Sequence, residues 1–190
     1  MEITRNEKTI SVASNYNPTL PGDAKKLGGK WNPGEKVWTF DIRDENRVEA
    51  LYRNIYGEWD TENEVTNLVN VKITATDDIS KYCSGIFFGG RQLARATGRD
   101  SGATLGQGVI LLSGIATSGG SINNWQTCIN KNSVFEVKDI PLTQVEKEDL
   151  GKVWKIEILG DIDIDKMKLE TEKTELLKRL NEINELLKEN

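Results

Sequence analysis

Residues 85–112 read GIFFGGRQLARATGRDSGATLGQGVILL, in which short apolar runs alternate with glycine-rich turns. Apolar or β-branched runs bounded by glycine, serine and asparagine predict short strands. Many such strands are typical of a sandwich or a small barrel, so we predict a β-rich domain over residues 65–160. Further runs of the same kind lie on both sides of the quoted stretch, at 65–73, 125–129, 134–137 and 153–159.

The middle of the chain also has an unusual charge balance. The protein as a whole is acidic, with a net charge of −5. Guanidinium forks and backbone amides beside flexible glycines can approach one anion together. We therefore predict a ligand or partner site that contains Arg91, Arg95, Arg99 and Asp100. Between Asp78 and Glu136, Asp100 is the only acidic residue against five cations: Lys81, Arg91, Arg95, Arg99 and Lys131.

Both features of this site have a simpler alternative. Arg91, Arg95 and Arg99 are spaced by four residues and can converge on a phosphate or on carboxylates of a partner. Alternatively, each arginine is solvated or pairs with a carboxylate such as Asp100. The stretch 97–102, TGRDSG, can form an anion-binding nest, or Asp100 and Ser101 can stabilise a hairpin turn there.

A second candidate contact is the polar loop 118–125, SGGSINNW, which ends in an aromatic residue. We predict that Ser121, Asn124 and Trp125 contact a ligand or partner, because an exposed tryptophan can stack on a base or enter a pocket. The alternative is that Trp125 packs into the core, since tryptophan is highly buried on average.

The first 57 residues predict a small α+β module. Alternating apolar and polar residues near the N-terminus indicate a hairpin. Pro21 and Gly28 then bound a short helix. Asp44 is a candidate N-cap for a second helix, which Gly57 ends.

Residues 24–40 of this module, AKKLGGKWNPGEKVWTF, resemble the repeat of the HARP domain and of related modules in phage and plasmid proteins. In HARP-containing helicase-like proteins the module binds branched or single-stranded DNA. The resemblance implies a nucleic-acid contact by Lys25, Lys26, Lys30 and Trp31, with core packing as the alternative for Trp31. Residues 91–125 are similar to a segment of uncharacterised mobile-element proteins, which favours a counter-defence role.

The C-terminal segment changes character. Leu169, Leu176 and Ile183 repeat every seven residues, and Leu180 and Leu187 occupy the companion positions. This pattern predicts a coiled-coil helix that makes the protein a homo-oligomer. The alternative is that the helix packs back on its own domain, because an isolated helix this short is marginal in water.

The chain therefore divides into four predicted parts. They are the module at 1–57, an acidic linker at 58–64, the β-rich domain at 65–160 and the oligomerising helix at 161–190. Within the linker, acidic neighbours surround Trp59, which favours an exposed anchor for a contact between domains.

The absence of histidine limits the chemistry of this protein. It removes the commonest general base and the commonest metal ligand, so Ser-His-Asp and Cys-His triads cannot be built.

Cys83 and Cys128 are predicted to be reduced and buried. The chain contains no apolar run of the roughly 20 residues that cross a bilayer, and its first residues lack a secretory pattern. We therefore predict a cytoplasmic location in a host cell.

Taken together, the sequence predicts an α+β protein with a β-rich sandwich or small barrel and a C-terminal coiled-coil helix. We expect a non-catalytic phage- or plasmid-type protein without cofactor or metal. It would engage nucleic acid, a nucleotide or a nucleic-acid-directed host defence complex and inhibit by occupancy, in the manner of anti-CRISPR or anti-restriction proteins. One alternative is an accessory module for single-stranded or branched DNA. Another is a metal-dependent nuclease in which Asp77, Asp78 and Asp100 hold magnesium.

Overall fold

The structure is a computed structural model that describes residues 1–59, 67–149, 153–160, 169, 172–180 and 183–184. Its regular elements are four antiparallel sheets and four short helices. We call residues 1–59 the N-terminal half and residues 67–160 the β-rich half. Each half has its own hydrophobic core.

The N-terminal half begins with a hairpin whose second strand carries the first core residues. Ile10 and Val12 alternate with polar residues and are fully buried. They lie opposite Phe40 and Trp38 of a neighbouring strand, so one face of the sheet is apolar. The sheet has the strand order β1-β2-β4-β3. Its elements in chain order are β1 (Glu2–Arg5), β2 (Thr9–Ala13), α1 (Leu20–Lys26), β3 (Lys30–Asn32), β4 (Val37–Asp41), a 3-10 turn (Ile42–Asp44) and α2 (Glu45–Tyr56).

Helix α2 covers the apolar face of this sheet. Val48, Tyr52 and Ile55 follow at helical spacing and are buried. Gly57 ends the helix with a left-handed backbone, φ 77°, and its amide donates to the carbonyl of Arg53. Trp59 is only 3% exposed and its ring centroid lies 5.8 Å from that of Tyr52. The expectation that Trp59 is an exposed anchor is therefore wrong, because it extends the first core.

The β-rich half contains three sheets, with strand orders β10-β13-β5-β14, β11-β12-β6 and β7-β8-β9. In the central strand β5, Val69, Val71, Ile73 and Ala75 are buried at every second position. The elements of this half are β5 (Leu68–Ala75), β6 (Ile79–Tyr82), β7 (Ile86–Phe88), β8 (Arg91–Arg95), β9 (Thr104–Leu105), β10 (Val109–Ser113), β11 (Ala116–Gly120), β12 (Trp125–Ile129), β13 (Val134–Pro141), α3 (Leu142–Asp149) and β14 (Trp154–Leu159).

Aromatic rings connect these sheets into one core. The ring of Trp154 meets Phe88 of β7 and Phe135 of β13 edge-on, at centroid distances of 6.2 and 6.3 Å. Edge-to-face pairs at this separation stabilise a core beyond the area that they bury. Strands from two different sheets are therefore fixed against β14.

The predicted α+β class with a C-terminal coiled-coil helix is wrong. The described residues form a β-rich protein with short helices, and a long coiled-coil helix is not among their elements. In the C-terminal segment, 172–180 are helical, and Leu169, Leu176, Leu180 and Ile183 are all exposed. A heptad seam needs a second helix, which in a homo-oligomer comes from another copy of the chain, so the oligomer itself stays a prediction. Leu187 and the predicted linker residues 60–64 lie outside the described residues.

Two further observations concern the surface. Cys83 is exposed and Cys128 is half-buried, and both are free thiols, so the expectation of burial is wrong for Cys83. The backbone of Cys83 has a positive φ of 47°, which places it in a turn rather than in the core. None of the helices in the described ranges has the length and apolar composition that spanning a membrane requires.

Candidate functional site

The glycine- and arginine-rich stretch forms the contact between the two halves of the chain. The side-chain amide of Asn17 donates to the carbonyl of Gly90, 3.3 Å away. The guanidinium carbon of Arg95 lies 5.2 Å from the centroid of the Tyr16 ring, a cation–π contact. We call this contact the seam. Residues 15–17 and 53–58 form its N-terminal side, and residues 89–95, Gln144 and Lys147 form the opposite side.

Helix α3 completes the seam by capping α2. The side-chain amide of Gln144 is 4% exposed and donates to the carbonyls of Arg53 and Asn54 at 3.2 and 3.3 Å. The ammonium group of Lys147 donates to the carbonyl of Asn54 at 3.2 Å. The last carbonyls of a helix lack partners within the helix and carry partial negative charge. Side chains of the β-rich half therefore satisfy the C-terminus of α2.

Gly90 is required where the backbones of the two halves meet. Its φ of 76° is a conformation that other residues rarely adopt. A Cβ atom built on Gly90 would overlap the carbonyl oxygen of Ile55. Gly106 has the same role within the β-rich half, where a Cβ atom would overlap the carbonyl oxygen of Gln92. These glycines permit close backbone approach.

The backbone amides that could form an anion site are already bound inside the protein. Thr97 and Gly98 both donate to the hydroxyl of Ser101, at 3.0 and 3.2 Å. Gly102 donates to the hydroxyl of Ser118 at 3.0 Å. The 97–102 stretch is therefore a turn held by Ser101 and Ser118, whereas Asp100, which the simpler alternative also named, is bound by Arg99. Gly89 likewise donates to a carboxylate oxygen of Glu148 at 3.0 Å.

Arg91 is held by main-chain carbonyls. Its guanidinium group donates to the carbonyl of Lys138 and, at 3.0 Å, to that of Asp139. Both carbonyls lie at the register shift of β13 between Val137 and Ile140. Burial lowers the pKa of Arg91, while the carboxylates of Asp139 and Glu58 act in the opposite direction.

Arg95 and Arg99 each have a partner of their own within the protein. Arg95 stacks on Tyr16. Arg99 forms an ion pair of 2.7 Å with Asp100. Its hydrogen bond lowers the pKa of the Asp100 carboxyl group and raises the pKa of Arg99. The assignment of Arg91, Arg95, Arg99 and Asp100 as ligand contacts stays a prediction.

The loop that carries the second predicted contact is shorter than the sequence suggested. Residues 118–120 belong to strand β11, so the loop is limited to 121–124. The amide of Ser121 donates to the carbonyl of Asn124 at 3.1 Å, and the amide of Asn124 donates to the hydroxyl of Ser121 at 3.2 Å. Trp125 is half-buried in β12. The side chain that projects is Ile122, which is 76% exposed.

In the N-terminal half the predicted nucleic-acid contacts lie on the surface. Trp31 is 48% exposed on β3, the edge strand of its sheet, and its ring centroid lies 5.6 Å from that of the buried Trp38. Lys25 and Lys30 are exposed, and neither pairs with a carboxylate of another described residue. Lys26 forms an ion pair of 2.7 Å with Asp23. Core packing of Trp31 is therefore only partial.

The carboxylates of the nuclease alternative do not meet. Asp78 accepts a hydrogen bond of 2.7 Å from the amide of Lys131, whereas Asp100 is held by Arg99. Within the described ranges no three histidine, cysteine or acidic side chains lie close enough to hold a metal ion together. Asp77, Asp78 and Asp100 therefore do not form the magnesium site of that hypothesis.

One feature was missed by sequence reasoning, a polar cleft at the seam with a volume of about 390 Å³. Tyr16 and Glu58 line it from the N-terminal half, and Gln92, Gln107 and Asp139 line it from the β-rich half. These residues are far apart in the chain, so a local pattern gives no signal for the cleft.

Comparison with known proteins found no matching family model, no similar curated protein and no similar solved structure. The resemblance of residues 24–40 to the HARP repeat therefore stays a prediction.

Proposed function

We propose that this protein is a non-catalytic binding protein whose N-terminal half contacts single-stranded nucleic acid through Trp31, Lys25 and Lys30. The observation that carries the proposal is the exposed indole of Trp31 on an edge strand, within a stretch whose Lys25 and Lys30 pair with no carboxylate among the described residues. An exposed aromatic ring accepts an unpaired base by stacking, and nearby ammonium groups bind the phosphates on either side. Lys26 contributes less, because Asp23 compensates its charge.

The charge balance of this half predicts the kind of binding. Residues 1–59 contain nine lysine and arginine residues and nine acidic residues. A duplex binder depends on many cationic contacts and on the release of counterions, which a neutral surface does not provide. Stacking of a base on one ring depends less on net charge, so the proposal is for single strands rather than duplexes.

Fluorescence titration with an oligothymidine of about 12 nucleotides tests this proposal, a length within the usual range of single-strand sites. Trp38, Trp59 and Trp154 are at most 5% exposed, and Trp125 is half-buried, so the titration is repeated with Trp125→Phe, in which quenching reports mainly on Trp31. Trp31→Ala should weaken binding by about 5-fold to 150-fold, the equivalent of about 1–3 kcal/mol for one stacked base. Because this variant loses the reporter fluorophore, its affinity is measured by anisotropy of a labelled strand.

Two further variants serve as controls. Trp31→Phe keeps an aromatic face and should retain most of the affinity. Lys30→Glu should weaken binding and reduce the salt slope by about 0.7 for the lost phosphate contact. Equal affinity of Trp31→Ala and the unaltered protein would refute the proposal.

The wider role remains a proposal from the sequence resemblance alone. A protein that occupies single-stranded nucleic acid can inhibit a nucleic-acid-directed defence complex of a host cell without any reaction. A plaque or plasmid-transfer assay with the unaltered protein and Trp31→Ala would test it. Protection of the invading element that survives loss of strand binding would contradict inhibition by this route.

A further inference from the structure

The cleft at the seam is a second candidate site, separate from Trp31. Its volume of about 390 Å³ falls within the range of small-molecule pockets in proteins. It lies where the two halves of the chain meet, which is a common position for ligand sites. Both halves supply polar side chains to its walls.

The first argument concerns hydrogen-bonding capacity. Three side-chain amides line the cleft, those of Asn15, Gln92 and Gln107. None of the three makes a side-chain hydrogen bond to another described residue. Each amide offers two donor hydrogens and a carbonyl acceptor. Such groups match the edge of a nucleobase, which presents donors and acceptors side by side.

The second argument concerns stacking. Tyr16 is 56% exposed and lines the cleft, and the guanidinium group of Arg95 lies over its ring. The cation–π contact orients the ring without covering most of its surface. An oriented, exposed aromatic ring is a platform for a planar heterocycle.

The third argument concerns the carboxylates of the lining. The lining contains one cation, Arg91, and two carboxylates, Glu58 and Asp139. The donor groups of Arg91 are already directed at main-chain carbonyls. Two further cations lie beside the lining: the amino group of Met1 is 3.9 Å from Glu58, and the guanidinium group of Arg95 lies over the Tyr16 ring. The carboxylates can accept hydrogen bonds from ribose hydroxyls.

We infer that this cleft binds a nucleoside, with the base against Tyr16 and the amides and the ribose hydroxyls toward Asp139 or Glu58. The inference goes beyond the proposed strand binding, because Trp31 is not among the residues that line the cleft. Strand binding at Trp31 and nucleoside binding in the cleft can therefore be separated by experiment.

The test is an NMR titration of the full chain with adenosine, guanosine, cytidine and uridine, observing the side-chain amide signals of glutamine. At least one nucleoside should shift the side-chain amide signals of Gln92 and Gln107. The signal of Gln126, which lies in β12 outside the cleft, should not change. The 2′-deoxynucleoside should bind more weakly, because it lacks one of the ribose hydroxyls.

Matched variants locate the site. Gln107→Ala, at an exposed turn, should weaken nucleoside binding by about threefold to tenfold, as expected for one lost hydrogen bond. Gln126→Ala should not change it, and neither should Trp31→Ala, which affects only the strand contact. The inference is overturned if none of the four nucleosides moves the cleft signals, or if Gln107→Ala leaves the affinity unchanged.

Discussion

Alanine at Gly90 should destabilise the protein more than alanine at Gly102, because only Gly90 lies at the seam. Both glycines have a left-handed backbone, with φ of 76° and 68°. A side chain in this conformation costs about 1–2 kcal/mol, so both variants carry that loss. A Cβ atom at Gly102 meets nothing within 4 Å, whereas one at Gly90 overlaps the carbonyl oxygen of Ile55.

The magnitude follows from this difference. Overpacking typically costs about 1–3 kcal/mol, so Gly90→Ala should lose about 2–5 kcal/mol of unfolding free energy against about 1–2 kcal/mol for Gly102→Ala. Urea unfolding followed by tryptophan fluorescence measures both variants, because Trp59 and Trp154 report on the two cores. Equal free energies of unfolding for the two variants, within about 0.5 kcal/mol, would refute the account of Gly90 as a seam residue.

Two further predictions concern single side chains. Gln144→Ala should cost about 1–3 kcal/mol in the same urea experiment, because it removes two hydrogen bonds from a buried side chain to carbonyls of α2, although Gly57 still donates to Arg53 and Lys147 to Asn54; Gln126→Ala is the control, and equal effects of the two would contradict the prediction. Hydrogen bonds from Arg43 lower the pKa of the Asp41 carboxyl group to about 2. Since the folded pKa lies below the unfolded value of about 3.9, this stabilisation is complete above pH 4 and is lost as the pH falls toward 2. Asp41→Asn should therefore flatten the stability profile between about pH 4 and pH 2, and an unchanged acid slope would show that the pair contributes nothing.

Much of the local structure can be predicted from short-range patterns. The alternation around the first hairpin, the turn at 32–35 and the apolar spacing of α2 each depend on residues close in the sequence. Strands β6 and β11 could not be predicted in the same way. Their sequences, ISKY and ATSGG, lack an apolar alternation, and they become strands because both pair with β12. Tertiary pairing overrides weak strand propensity there.

The candidate sites show the same limit. The concentration of arginine and glycine does not reveal that main-chain carbonyls at a distant bulge bind Arg91. Glycines that permit anion binding also permit close contact between backbones, and only the fold distinguishes the two roles. Exposure of Trp31 likewise depends on β3 being an edge strand, which is a property of the whole sheet.

The contact between the two halves is the central claim, and the Tyr16–Arg95 pair tests it most directly. An aromatic ring shifts the resonances of protons that lie over its face, and Arg95 lies over Tyr16. The side-chain protons of Arg95 should therefore resonate upfield of their ordinary position in the full chain and return to it in Tyr16→Ala. Ordinary resonances for Arg95 in the unaltered protein would show that the N-terminal half does not dock on β8.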